Sequence, residues 1–305
     1  MKLSLLIQVC NGGNDWKECW ESALLNQDCF DRIFVSINQS SKQEEDIALI
    51  RDCKLEKLHW ISQDQSLAAV EHRIKAERWL MTFHPTGHIF LLNHDCMLLR
   101  AGLLELKGKN LGTDEAVIGG YCLFSPGGKS RREMVVHEFC SDSNIPITSE
   151  QFISMFEDQM LNISGIVLPA AIFARKHLPW HMLRSGCRAE LCYLANPYIK
   201  HICQMISPTV KVRWHQSSET SHTPANAFLY DSLVLYCHVF SVFPNDALRM
   251  KMVANIGDLI KKNLWLGLLY FIQIQFSLLR LNYYYPAALK IYWYAILKIF
   301  RRTGI

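Results

Sequence analysis

The sequence predicts an α/β protein built on a parallel, doubly wound sheet. Apolar runs that read as strands recur at residues 3–9, 32–37, 58–61 and 88–92, with helical patterns between them. Strands alternating with helices are the signature of βαβ units. Polar, turn-forming clusters follow three of these runs, at 11–14, 38–41 and 93–95. Of the 305 residues, 50% are hydrophobic and 20% charged, which places the chain among globular rather than disordered proteins, with length enough for a sizeable core.

The elements follow in order. Met1 to Cys10 carries one Lys and a short apolar run; a small-residue cleavage site is missing, so a first buried strand fits better than a secretory signal. Residues 15–27 read as a helix capped by Asn14 or Asp15, with Trp16, Trp20, Ala23 and Leu24 on its core face. Residues 44–53 and 66–83 are the next two helices. The fourth strand, 88–92, ends in Asn93-His94-Asp95. In an open α/β sheet the carboxyl ends of the strands are where ligands bind, and an Asp there can meet a hard divalent cation. An Asn-His-Asp cluster is equally the chemistry of an ordinary strand-ending turn.

Beyond residue 117 the pattern loosens. A strand is expected at 117–124, a turn at Ser125-Pro126-Gly127-Gly128, a mobile loop over 129–147, and a helix at 149–162. An apolar stretch covers 166–173, a helix interrupted near Pro197 covers 193–206, a short strand 210–214 and a polar loop 215–224, with helices from 225 onward. The 11 cysteines are odd in number and form no C-x-x-C pair, which argues against a disulfide framework and for a reducing compartment. Cys187, Cys192, His201 and Cys203 lie close in sequence without a familiar zinc spacing.

Several segments together resemble the family 2 glycosyltransferases of GT-A fold, particularly bacterial enzymes of surface-polysaccharide synthesis. Leu5-Leu6-Ile7-Gln8-Val9-Cys10-Asn11-Gly12-Gly13 is similar to the family's first strand and loop, and Glu21 to Gln27 to its S-x-L-x-Q helix end. Phe34 to Ser40 resembles its V-D-[DN]-G-S segment, and Ile89 to Asp95 the strand carrying D-x-D. Ile163-Ser164-Gly165 resembles the small-residue turn before the acceptor-side strand, and Arg188-Ala189-Glu190 falls at the acidic pair. The likeness spans about residues 3–215. Gln8 and Cys10 stand in place of Pro and an aromatic residue, Asn93 in place of the first Asp, and Ala189-Glu190 in place of Glu-Asp.

The resemblance implies a GT-A-type (Rossmann-like), mostly parallel sheet flanked by helices with a C-terminal amphipathic helical extension. It implies a catalytic domain over 1–224, nucleotide-binding to about 100 and acceptor-binding beyond; the pattern of the tail itself suggests a membrane-associating region over 225–305. Asp95 would hold Mg²⁺ or Mn²⁺ with help from Asn93, and His215 would be a further metal ligand. Glu190 would be the general base of an inverting displacement. Asn11, Asn38, Asp64 and Arg73 would contact the nucleotide-sugar. Glu157-Asp158 offers a rival acidic pair that reads better as an exposed helix face, and Arg131-Arg132 could belong to a lid or simply be solvated.

The charge is uneven. No acidic residue follows Asp258, so the remainder carries +7 and residues 1–258 carry −3. Residues 264–281 and 287–300 are apolar, with Lys290, Lys298, Arg301 and a set of Tyr and Trp residues. Basic, aromatic, amphipathic helices suit the plane of an anionic leaflet; packing on the domain or dimerisation would suit them too. The expected reading is a nucleotide-sugar-dependent glycosyltransferase at the cytoplasmic face of the inner membrane. Its acceptor would be a polyprenyl-diphosphate-linked glycan of O-antigen or capsule synthesis, and no nucleic-acid partner is expected. A non-catalytic scaffold of an assembly complex and a nucleotidyltransferase are the alternatives.

Overall fold

The computed structural model describes residues 1–124, 130–134, 146–156, 164–175, 179–213 and 224–280. The chain divides into two compact units. The first comprises Met1–Thr148, Asn162–Lys176 and Tyr198–Ser221, and the second Ser149–Leu161, His177–Pro197 and His222–Ile305. Two earlier segments, Ser149–Leu161 and His177–Pro197, fall in the second unit with residues from 222 onward.

The first unit carries the sheet. Strands β1 (Leu3–Val9), β2 (Arg32–Ile37), β3 (Leu58–Ser62) and β4 (His88–Asn93) pair in parallel in the order β3-β2-β1-β4. Connecting them are α1 (Gly13–Leu25), α2 (Gln43–Arg51) and α3 (Ala69–Met81). Beyond β4 the sheet continues through β9 (Ile166–Pro169), β6 (Glu115–Phe124), β10 (His201–Arg213) and β5 (Cys96–Leu98). Strand β9 enters antiparallel between β4 and β6, β6 and β10 are parallel, and β5 closes the edge antiparallel to β10. Strands β7 (Ser130–Met134) and β8 (Ile147–Thr148) pair antiparallel with β6 and β10.

Burial explains the parallel part. Leu3, Leu5, Ile7 and Val9 of β1 face Trp16 and Trp20 of α1 in one core cluster, with Ile47 and Ile50 of α2. On the opposite face, Phe34 of β2 lies 5.8 Å from the Trp79 ring of α3 and 5.3 Å from Phe83. With both faces covered, β1 and β2 are apolar almost throughout, as strands of parallel sheets are.

Three expectations are corrected. Helix α1 starts at Gly13, and neither Asn14 nor Asp15 caps it. The N–H groups of Gly12 and Gly13 donate instead to the carboxylate of Asp46 on α2, at 3.1 and 2.8 Å, so a distant buried acceptor replaces the local one. The loop expected over 129–147 contains β7, whose backbone groups are satisfied by β6. The helix expected over 193–206 is α6 (Ala189–Leu194), stopping before Pro197, which cannot continue a helix; residues from 201 onward form β10, held by pairing along β6. Strand β5 and the following helix α4 (Arg100–Gly108) were not anticipated; Leu103 and Leu106 bury one face of α4.

The second unit is helical: α5 (Ser149–Phe156), α6, α7 (Ala225–Val242), α8 (Asp246–Lys262) and α9 (Leu264–Arg280). Helix α7 buries Asp231 and His238 completely. Among the described residues no helix is long and apolar enough to cross a membrane.

Candidate functional site

The chain leaves β1 toward β2 and returns after β3 to β4, on the other side of β1. Between β1 and β4 the winding therefore reverses, and their carboxyl ends open a crevice of the kind that receives ligands. Gln8, Asn11, Asn93, His94 and Asp95 all fall there.

Asn11 sits just past β1 with φ 54°, a left-handed conformation that Asn tolerates better than most residues. Its Oδ1 accepts from Ser41 at 3.2 Å, and it borders an open cleft of about 420 Å³ shared with Lys17, Lys42 and Asp46. The left-handed turn points the chain from the strand into α1 and leaves Asn11 exposed.

Asn93 and Asp95 end β4. The Asn93 N–H donates to the Ser164 hydroxyl at 3.0 Å, and the His94 N–H to the Gln8 carbonyl at 3.2 Å. The Gly165 N–H reaches the Leu91 carbonyl at 3.0 Å. The Ser164-Gly165 turn therefore clamps the end of the strand that carries Asp95. Asp95 is partly exposed, and its Oδ1 accepts from the Cys96 thiol at 3.4 Å. Burial first, and the Asp95 charge second, push the thiols of Cys19 and Cys96 up, which keeps them protonated.

Arg73 projects from α3 onto the same crevice. Its Nε donates to Gln8 Oε1 at 3.3 Å, and Gln8, Arg73 and Asn93 line a small hollow together. Gln8 thus links β1, α3 and the Asn93-His94 turn. Only its departure from the family's Pro marked it in the sequence. Beside it His72 is buried, its Nε2 2.9 Å from the Ser36 hydroxyl. Burial chiefly, then the charges of Arg73 and His94, draw its pKa down to about 4.

Asn38, expected to contact the nucleotide-sugar, is held by the β3–α3 loop. It is 1% exposed, its Nδ2 donates to the Leu67 carbonyl at 2.8 Å, and its Oδ1 accepts from Leu67 N–H at 3.0 Å. Both ends of the amide hold the β3–α3 loop, so the residue shapes the crevice from within. Asp64 lies exposed in that same loop.

Strand β10 approaches this region as well. Val212 is paired with Cys96, so the chain leaves β10 alongside the Asp95 turn. Arg213 there pairs with Asp15, Nε to Oδ1 at 3.1 Å, and with Glu18 of α1. His215, two residues on, lies outside the described residues, as do Glu157-Asp158, the turn at 125–128 and the side chains of Arg131 and Arg132. Among the described residues no group of three or more His, Cys, Asp and Glu side chains could hold a metal ion. The donor set is one carboxylate beside one amide, which fits a hard cation completed by phosphate oxygens and water, as Mg²⁺ commonly is.

Glu190 belongs to the second unit, in the first turn of α6, and is 8% exposed. The segment before it is anchored to α7. Arg188 Nε donates to the Ser232 hydroxyl at 3.3 Å, and its guanidinium lies 4.9 Å from the Phe228 ring centre. Asp231 accepts from the N–H groups of Arg184 and Ser185 at 2.7 and 3.1 Å, and from the Ser185 hydroxyl at 2.7 Å. Asp231 was invisible as a site residue in the sequence, where it sits in an apolar helix with no local partner.

No family model and no curated protein matches the chain. Solved structures do match. The crystal structure of S. aureus TarS residues 1–349 with UDP-GlcNAc aligns at TM-score 0.57 and 11% identity, over 86% of this chain and 81% of that one. The corresponding UDP complex aligns at 0.52 and 11%, over 85% and 80%. GalNAc-T7 with UDP, GalNAc and Mn²⁺ aligns at 0.52 and 10% over 81% of this chain, which spans 48% of that protein. The fold expected from the sequence is the fold observed: a GT-A-type α/β sheet flanked by helices.

Proposed function

We propose that the protein is a nucleotide-sugar-dependent glycosyltransferase. The observation that carries this reading is the position of Asp95: partly exposed, at the carboxyl end of β4 where the winding of a GT-A-type sheet reverses, on a strand end clamped by Ser164 and Gly165. TarS and GalNAc-T7 share the fold and are described with UDP or a UDP-sugar bound.

The residues divide the work. Asn11 and the β3–α3 loop with Asp64 would bracket the nucleoside, and Arg73, steadied by Gln8, would present positive charge to the diphosphate. Asp95, with Asn93 beside it, would hold Mg²⁺ or Mn²⁺ against that diphosphate, where a cation neutralises the charge of the leaving group. His215 would be a further ligand. Glu190 would accept the proton of the acceptor hydroxyl, giving inversion at the anomeric carbon. The basic C-terminal stretch supports an acceptor at a bilayer, a polyprenyl-diphosphate-linked glycan of O-antigen or capsule synthesis. It likewise supports peripheral placement at the cytoplasmic face of the inner membrane.

The test is a panel of nucleotide-sugars incubated with the purified protein and Mn²⁺, reading thermal stabilisation and release of nucleoside diphosphate. Asp95→Ala should abolish both. Glu190→Ala should abolish transfer to an acceptor while leaving donor-dependent stabilisation. Pyrophosphate released from a nucleoside triphosphate and a sugar 1-phosphate, with no nucleoside diphosphate from any nucleotide-sugar, would mean a nucleotidyltransferase. No donor-dependent response from any nucleotide-sugar would leave a non-catalytic scaffold.

A further inference from the structure

Helix α9 presents an unusual surface. Its inward side is apolar: Tyr270, Phe271 and Ile274 are buried, and at Gly267 a side chain would come within 2.9 Å of Ile260 on α8. Its outward side is apolar as well. Trp265 is 84% exposed, Leu269 61%, Ile272 52% and Phe276 63%. Spacings of three and four residues bring these side chains onto one stripe. A contiguous line of large apolar groups held in water marks a surface that meets something apolar.

Charge identifies the occupant. The exposed Lys261 and Lys262 end α8 immediately before this stripe begins, and no acidic residue follows Asp258. A second copy docking here would bring one +7 sequence region against another. An anionic lipid surface satisfies both features, taking the apolar groups into its interface and the lysines among its phosphates. Among the described residues no helix is long and apolar enough to cross a bilayer, so the placement that fits α9 is one in the membrane plane.

We propose that α9 is an in-plane membrane anchor, with Trp265, Leu269, Ile272 and Phe276 inserted into an anionic leaflet and Lys261 and Lys262 on its headgroups. This deepens the lipid-linked-acceptor reading by naming the contacting surface. Its test reads vesicle binding rather than transfer, so either can fail alone. The full-length protein is co-sedimented with phosphatidylcholine vesicles with and without phosphatidylglycerol, beside Leu269→Glu/Phe276→Glu and Lys261→Gln/Lys262→Gln variants. Circular dichroism and thermal midpoints check folding, which substitutions at these exposed positions should leave intact. Binding that requires phosphatidylglycerol and weakens by about tenfold or more in the Glu variant supports the anchor. A smaller loss in the Gln variant supports it too. Unaltered binding in the Glu variant, absence of binding by the parent protein, or a Glu variant whose only change is dissociation of a dimer would each overturn it.

Discussion

At the scale of single residues, the turn at Ser164-Gly165 shows how a small side chain can position a distant carboxylate. Gly165 has φ +93°, and a Cβ there would lie 2.9 Å from the Thr209 hydroxyl oxygen. Gly165→Ala should therefore destabilise the fold by about 1–3 kcal/mol, seen in urea titrations. It should also weaken donor-dependent stabilisation, because the clamp on β4 loosens. His72 and His238 make a second residue-scale prediction. Burial draws both pKa values from 6.5 to about 4, so each imidazole stays neutral in the fold while the unfolded chain takes up protons near 6.5. The unfolded state then binds more protons between those values. Stability should be flat above pH 6.5 and fall as the pH drops toward 4. His238→Gln should flatten part of that decline in urea unfolding followed across the range. The motif segments ending in Asn11, Asn93 and Asp95 were legible at this scale, because turn-forming polar residues stand out after apolar runs. Gln8, Asp46 and Asp231 were not, since each acts through partners remote in sequence.

At the scale of elements, Asp46 joins two helices. Its carboxylate receives the Gly12 and Gly13 amides, and its carbonyl accepts from the Trp16 indole at 3.0 Å. Asp46→Ala leaves buried amides without an acceptor and should cost about 1–3 kcal/mol in denaturant unfolding. Asp46→Asn, which retains one acceptor oxygen, should cost less. The same substitution tests the crevice, because the start of α1 and the left-handed Asn11 turn form one connection. Elements with self-contained periodicity, β1 to β4 and α1 to α3, were readable along the chain. Strands β5 and β7 are short and were missed, since only pairing with β10 and β6 makes them strands. Residues 201–206 carry apolar groups compatible with either period, and the parallel partner β6 selected the extended form.

For the whole molecule, the contrast is between a body of −3 and a C-terminal stretch of +7. Vesicle binding should weaken steeply with added salt, since the screening length shrinks to about 3 Å at roughly 1 M. The salt-resistant remainder should be the share that Leu269→Glu/Phe276→Glu removes, as apolar insertion is not screened. Flotation assays across a salt series would separate the two contributions. Local patterning along the chain was enough to establish the α/β class, the order of the first four strands and the polar cluster at residues 93–95, because strand and helix periods and turn chemistry act over a few neighbours. Three-dimensional pairing established the rest: β9 antiparallel between β4 and β6, Asn38 turned inward as a clamp, Asp46 as a remote cap and the apolar stripe of α9 facing water. Those outcomes depend on which surfaces and hydrogen-bonding groups find partners across the fold, and a linear pattern does not encode that locally.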